Sequence, residues 1–303
     1  MEQEQQIGLA EVPNDGWDER VRLFRAGQEV DTCVVVTRRY LVVVDTMATP
    51  ELAAAIMRAV SDALAGRQLL VVNTHADYDH CWGNAIFESP GGRYPAPILA
   101  HERARKRMRS DEARQSLVRR QKESERFSSV RLVEPSIVCS EGLTIDGGDL
   151  TLELLPTPGH TEDHLSVWIP EVRLLLAGDA AEYPFPYVEE AATLPILLNS
   201  LERLANLHPE MVIPCHGGPS DAALIARNLA YFAEIERRVR SALASGLAPS
   251  DWRERDNLPE IIGCSFEEGV QIAGGSPAGV PAFYRGFHLA ALRATLTNLQ
   301  TPT

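Results

Sequence analysis

The stretch Leu69-Leu70-Val71-Val72-Asn73-Thr74-His75-Ala76-Asp77-Tyr78-Asp79-His80 joins a short apolar run to four side chains of cation-binding type. Leu69 to Val72 is wholly apolar and followed by polar residues, which predicts a buried strand. That strand delivers the chain directly to Asn73-Thr74-His75. On a strand-to-helix loop the side chains at 75, 77 and 79 converge on one spot, and His80 turns the other way. Two histidines and two carboxylates crowded together are costly without a cation, because the carboxylates repel. Turns favour Asp in any case, so the hexapeptide alone leaves a metal site and a chance cluster both open.

Three further pieces narrow the choice. Pro156-Thr157-Pro158-Gly159-His160-Thr161 follows a predicted strand over Leu150–Leu155. Ala177-Gly178-Asp179-Ala180 ends a predicted strand over Leu174–Ala177, and Pro214-Cys215-His216-Gly217-Gly218 ends one over Met211–Ile213. Each places one His or Asp at a strand end, beside Gly or Pro that permits a tight turn. Strand ends gathered at one edge of a scaffold hold ligands rigidly.

Outward from these motifs, the pattern predicts strands over Val21–Arg25, Thr32–Val36 and Tyr40–Asp45, rich in β-branched and aromatic residues. A helix is expected over Thr49–Leu64, with Thr49 as N-cap, Pro50 at the first helical position, and Leu52, Ile56, Val60 and Leu64 on one face. Ala100–Phe127 reads as one or two helices standing off the core. Further strands are expected over Ile137–Cys139, Leu143–Ile145 and Leu165–Ile169, and helices over Thr193–Leu207, Ala222–Leu243 and Ala282–Leu299. Strands in runs with helices between and outside them suit an α/β sandwich, although pattern alone does not select it over another α/β fold.

The 303 residues carry 45% hydrophobic and 23% charged side chains, an ordinary globular composition long enough to bury a core without disulfide staples. Five cysteines (33, 81, 139, 215 and 264) have no paired short spacing, so no disulfide framework is expected. The acidic, polar start is unlike a signal peptide. No apolar run approaches the roughly 18–20 residues of a membrane span. The expected compartment is the cytoplasm. A net charge of −13 argues against general nucleic-acid binding. One segment dissents, because His101–Arg126 holds ten Lys/Arg against five acids. It reads as an anion-steering or partner surface, or as a solvated helix of mixed charge.

The motifs together resemble those of the metallo-β-lactamase superfamily, whose hallmarks are a His-x-His-x-Asp-His loop, a later Gly-His, a Gly-Asp and a final His. They stand here as His75-x-Asp77-x-Asp79-His80, Gly159-His160, Gly178-Asp179 and Cys215-His216, over roughly Val21 to Tyr231. The resemblance implies a four-layer αβ/βα sandwich. It implies one domain over 1–303, with a charged helical insertion at about 101–127 and a C-terminal helical segment at about 219–303. By resemblance one metal takes His75, Asp77 and His160, the second takes Asp79, His80 and His216, and Asp179 bridges both. The ions would stand about 3.5–4 Å apart.

The family's second histidine is Asp77 here. A carboxylate still suits zinc, the expected metal, but admits iron or manganese. Two divalent ions and three aspartates sum to +1, against +2 with histidine at 77, so a bound water should be less acidic than in the usual site. Flavodiiron proteins also place a carboxylate here, but they add a flavin domain for which this chain has no room or motif.

The expected reaction is attack of a metal-held hydroxide on a small ester, lactone, thioester or amide, with Asp79 orienting the nucleophile or passing its proton to the leaving group. An iron-dependent oxygenase, such as the superfamily's persulfide dioxygenases, is the alternative. A third reading is a non-catalytic ligand-binding protein, against which the full ligand set counts. The expected partner is a small-molecule substrate, with no nucleic acid and no membrane, and with a homo-oligomer left open. Trp82, Tyr183 and His288 are the candidates for contacting substrate. Each has an ordinary packing role as its alternative.

Overall fold

A computed structural model of the protein describes residues 8–216, 218, 220–246, 252 and 255–300. The chain divides into two compact units. Unit 1 comprises 1–156, 163–176 and 215–217, and unit 2 comprises 157–162, 177–214 and 218–303.

In unit 1 the chain runs β1 (Leu9–Val12), β2 (Val21–Ala26), β3 (Val30–Val36), β4 (Tyr40–Val44), α1 (Pro50–Ala59), α2 (Ser61–Leu64), β5 (Gln68–Val72) and α3 (Tyr78–Cys81). It continues through β6 (Ile98–His101), α4 (Glu102–Arg109), α5 (Asp111–Glu123), β7 (Ile137–Cys139), β8 (Leu143–Asp146), β9 (Thr151–Pro156), β10 (Leu165–Ile169) and β11 (Leu174–Gly178), whose last two residues fall in unit 2. The first seven strands form one sheet in chain order. β1 to β4 pair antiparallel, and β4 to β7 pair parallel. Parallel strands are covered on both faces and so read as continuous apolar runs. Leu41–Val44, Val71, Val72 and Ile98–Ala100 are all buried accordingly. The remaining strands of this unit form an antiparallel β8-β9-β10-β11 ribbon.

The helix expected over Thr49–Leu64 breaks in two at Val60, whose dihedrals (φ −106°, ψ 12°) leave the helical region. Its start is as read: Thr49 Oγ accepts a hydrogen bond from the Leu52 amide at 3.3 Å, with Pro50 next. Ile56 and Val60 are fully buried, while Leu52 and Leu64 pack against the same cluster. The charged segment departs from the expectation more clearly. α4 does not stand off the core, since Ala104 and Met108 are buried and Met108 packs with Phe127, Val130, Cys81 and Trp82. α5 buries none of its residues.

In unit 2 the elements are α6 (Leu194–Ala205), β12 (Met211–Pro214), α7 (Leu224–Ala244), α8 (Leu258–Ile262), α9 (Phe266–Ile272) and α10 (Tyr284–Gln300). Leu197, Leu201 and Leu204 of α6, Tyr231, Ile235 and Val239 of α7, and Leu292 and Leu296 of α10 form its buried faces. The Phe185 ring stacks on Tyr231 with centroids 4.1 Å apart. All five cysteines are free. Among the described residues, no helix is long and apolar enough to cross a membrane.

Candidate metal centre

The parallel pairing of β4 with β5 aligns Val44 with Val72, so the two strands end side by side. Asp45 leaves one end and Asn73-Thr74-His75 the other, and the Asp45 amide donates to the Val72 carbonyl at 2.7 Å. In sheets of this kind, sites form beyond the carboxyl ends of the strands. Asp45 adopts φ +68°, a left-handed conformation that Asp tolerates better than most residues. Its carboxylate is fully buried and accepts from the Thr74 amide and the Thr74 hydroxyl, each at 2.7 Å, and from His80 Nδ1 at 2.9 Å.

These bonds fix two tautomers. An ionised carboxylate only accepts, so His80 Nδ1 carries the proton and His80 Nε2 presents a lone pair. The single Thr74 hydroxyl proton is committed to Asp45, so at 3.0 Å from His75 Nδ1 the same oxygen accepts. His75 is thereby also protonated on Nδ1, with its lone pair on Nε2. A histidine whose second nitrogen is held in this way is the usual form of a metal ligand.

After His75 the chain makes the single turn α3, with the His80 and Cys81 amides bonded to the Asp77 carbonyl at 3.1 and 3.2 Å. Asp77 occupies the N-cap position, yet its side chain makes no capping bond. One oxygen instead accepts from Arg107 of α4 at 2.6 Å, and the other stands 3.5 Å from His75 Nε2. Asp79 Oδ2 lies 3.8 Å from His80 Nε2 and 3.8 Å from His216 Nε2. One ligand atom from each of Asp79, His80 and His216 falls within 4.8 Å of the others. Four ligands at 2.0–2.1 Å on a tetrahedron are about 3.3 Å apart. A nitrogen–oxygen donor set at these spacings therefore fits a divalent ion after small adjustments.

Unit 2 supplies a second set. His160 Nε2 stands 3.4 Å from Asp179 Oδ2, and Glu182 completes a group within the same 4.8 Å limit. Gly159 (φ +141°) cannot be replaced here, because a Cβ would lie 2.3 Å from the Leu197 Cα. Glu182 is buried, accepts from the Tyr284 hydroxyl at 2.8 Å, and exchanges backbone bonds with the Asn228 amide side chain. Glu182, Asp45, Thr74 and Arg107 are not among the residues that the sequence motifs single out. Glu182 lies three residues beyond Asp179, which is the one signal available for it.

Of the three candidates for substrate contact, Trp82 and His288 are buried and Tyr183 is half-buried. Trp82 is 4% exposed and packs edge-on against Phe127 and Tyr78 inside the unit 1 core. His288 is fully buried, bonded through Nδ1 to the Tyr231 hydroxyl and through Nε2 to the Cys264 carbonyl, both at 2.8 Å. Both nitrogens are thus engaged inside unit 2, and burial holds its pKa below the ordinary histidine value. The Tyr183 hydroxyl accepts from the Ser276 amide at 3.2 Å. Cys81 is buried in the apolar cluster around Trp82, and burial pushes its thiol pKa well up.

Comparison with known proteins agrees with this architecture. The family model of the metallo-beta-lactamase superfamily matches residues 27–216. A Beta-lactamase-like protein 2 homolog from Caenorhabditis elegans is 37% identical over 75 residues, a quarter of this chain and 24% of that protein's length. A Metallo-beta-lactamase type 2 from Bacillus cereus is 24% identical over 235 residues, covering 74% of this chain and 81% of its own. Among solved structures, a metallo-beta-lactamase family protein from Thermus thermophilus aligns with a TM-score of 0.62 at 20% identity, over 97% of this chain and 93% of that one. A metallo-beta-lactamase from Pontibacter korlensis aligns with a TM-score of 0.54 at 18% identity, over 73% of this chain and 97% of that one. The chain has the α/β metallo-β-lactamase sandwich fold and belongs to the metallo-β-lactamase superfamily.

Proposed function

We propose that the protein is a metal-dependent hydrolase of a small ester, lactone, thioester or amide, with His75, Asp77, Asp79, His80, His160, Asp179 and His216 as ligands of two divalent ions, zinc first. The observation that carries this reading is the Asp45–Thr74 pair, whose bonds to the Nδ1 atoms of His75 and His80 leave both Nε2 lone pairs facing the Asp77 and Asp79 carboxylates. A histidine used only for packing has no need of that arrangement. Bound at such donors, divalent ions acidify a water and stabilise charge developing on a carbonyl oxygen. Asp79, with Oδ2 3.8 Å from two imidazole nitrogens, is the residue to orient the attacking water and carry its proton to the leaving group. The five free cysteines suit a reducing compartment such as the cytoplasm.

Asp77 favours one second reading, because a carboxylate among the ligands also suits iron in an oxygenase. Elemental analysis of protein purified without added metal, followed by assays of hydrolysis and of oxygen uptake, separates the two. Zinc with metal-dependent hydrolysis, lost in Asp79→Asn, is the expected result. Iron with substrate-dependent oxygen uptake would move the assignment to the oxygenase, and a protein that binds no divalent metal would overturn both.

A further inference from the structure

The basic helix α4 contains one cation that leaves the surface role expected of its neighbours. Arg107 donates from one guanidinium nitrogen to Asp77 Oδ1 and from the other to Asp163 Oδ1, both at 2.6 Å. Asp163 is fully buried, and its second oxygen accepts from the Ala76 amide at 2.8 Å, inside the His75–His80 loop. Burial works against the Arg107 charge, but Asp163 and Asp77 outweigh it and raise its pKa further above the ordinary value. A planar guanidinium can hold two separate carboxylates at fixed angles, and an ammonium cannot.

We infer that Arg107 is a positioning residue for the metal centre, and that Arg107 and Asp77 together stand in for the histidine the family has at position 77. The inference rests on Asp77 being a metal ligand, as proposed above. A histidine offers a metal one donor atom and no charge. An unrestrained carboxylate offers two oxygens and a full negative charge. With Oδ1 taken by Arg107, Asp77 turns a single oxygen toward His75 Nε2, as an imidazole would turn a single nitrogen. Arg107 and Asp163 together leave the +1 charge sum of the ligands unchanged, so what the pair supplies is the occupation and orientation of the Asp77 carboxylate. Restoring the family motif by Asp77→His would set imidazole against a half-buried guanidinium that keeps Asp163 and loses its other partner. Position 77 and position 107 should accordingly respond to substitution as a pair.

The test is a double-mutant cycle read in zinc affinity, by competition with a chromophoric chelator. Asp77→His is made in the wild-type chain and in an Arg107→Met/Asp163→Asn background, where Asn keeps the acceptor for the Ala76 amide and leaves no buried charge behind. We expect Asp77→His to weaken zinc binding at least tenfold in the wild type and less than threefold in the background. An equal factor in both overturns the pairing. Asp77→Ala separates this from the underlying reading: undiminished zinc stoichiometry removes Asp77 as a ligand, and the inference falls with it. Arg107→Lys, which keeps the charge, supplies a measurement independent of the triple variant. Release of the second Asp77 oxygen should raise the coordination number and lower the visible absorption of the cobalt-loaded protein. A cobalt spectrum identical to wild type would overturn the positioning role.

Discussion

Asp45 shows how much of the centre depends on one residue that is not itself a proposed ligand. Asn shares the tolerance of Asp for φ +68°, so Asp45→Asn leaves the backbone in place while removing the charge that accepts from Thr74 and His80. Partners behind metal-bound histidines typically contribute 10–100-fold in affinity. Asp45→Asn should weaken zinc binding by about that factor, measured by chelator competition, and an affinity unchanged from wild type would show that the tautomers are set by another group. Asp77→Ala should lose about one equivalent of metal, as two-ion sites of this kind predict, with unchanged circular dichroism. The proposed ligands are legible in the sequence because His75, Asp77, Asp79 and His80 fall within six residues and the remaining three adjoin Gly or Pro at strand ends. Asp45, Asp163 and Arg107 are not, because strand order and the α4 crossing bring them to their partners from 29 or more residues away, as the Asp45–Thr74 and Arg107–Asp77 separations illustrate. Trp82 and His288 are buried side chains. An aromatic beside a motif, or an imidazole in a C-terminal helix, is equally suited to filling a core.

Helix boundaries follow the same division between local and distant causes. The α1 start is a local device, Thr49 capping the Leu52 amide ahead of Pro50, and it is legible in the sequence. Thr49→Ala should cost about 1 kcal/mol, the usual value for losing such a cap, in urea unfolding at neutral pH. The break falls at Val60, which is fully buried, and has no sequence signal of its own. α9 carries a full capping box, Ser265 with Glu268, and falls outside the expected helices although that signal is local. In α10 the buried His288 gives a prediction with a definite sign. Its pKa is depressed in the fold by burial, so the unfolded chain binds the proton more tightly. The stabilising contribution of neutral His288 is complete above the unfolded value of about 6.5 and is lost as pH falls below it. Urea unfolding at pH 7.5 and 5.5 should show a smaller acid loss for His288→Gln than for wild type, even if the variant is less stable at pH 7.5. An equal loss in both proteins would mean that His288 does not titrate between the two states.

For the molecule as a whole, parallel strands give the clearest pattern, since β4 and β5 are apolar throughout and deliver Asp45 and His75 to adjacent ends. The antiparallel β1 escapes notice because it is short and half exposed, with little burial to impose alternation. What pattern cannot supply is the choice among α/β folds, which comes from the order of the four motifs. Those motifs also bear on stability. Asp77 and Asp79 in unit 1, and Asp179 and Glu182 in unit 2, place carboxylates beside one another or beside imidazoles in buried or half-buried surroundings, in a chain of net charge −13. A cation bound only by the folded state stabilises it by RT ln(1 + [L]/Kd), about 2.7 kcal/mol at a hundredfold excess over Kd. At roughly 2 °C or more per kcal/mol for a chain of this size, removing metal should lower the melting temperature by about 5 °C. The comparison is between chelator-treated protein and the same protein reloaded with zinc, in one buffer. His80→Ala and His216→Ala should each show a smaller zinc-dependent shift than wild type, because each deletes a nitrogen donor from the Asp79 group and leaves the other proposed ion. A zinc-dependent shift undiminished in both variants would place the stabilising ion at some other group of side chains, and equal melting of chelated and reloaded wild type would mean that the carboxylates are accommodated without a metal.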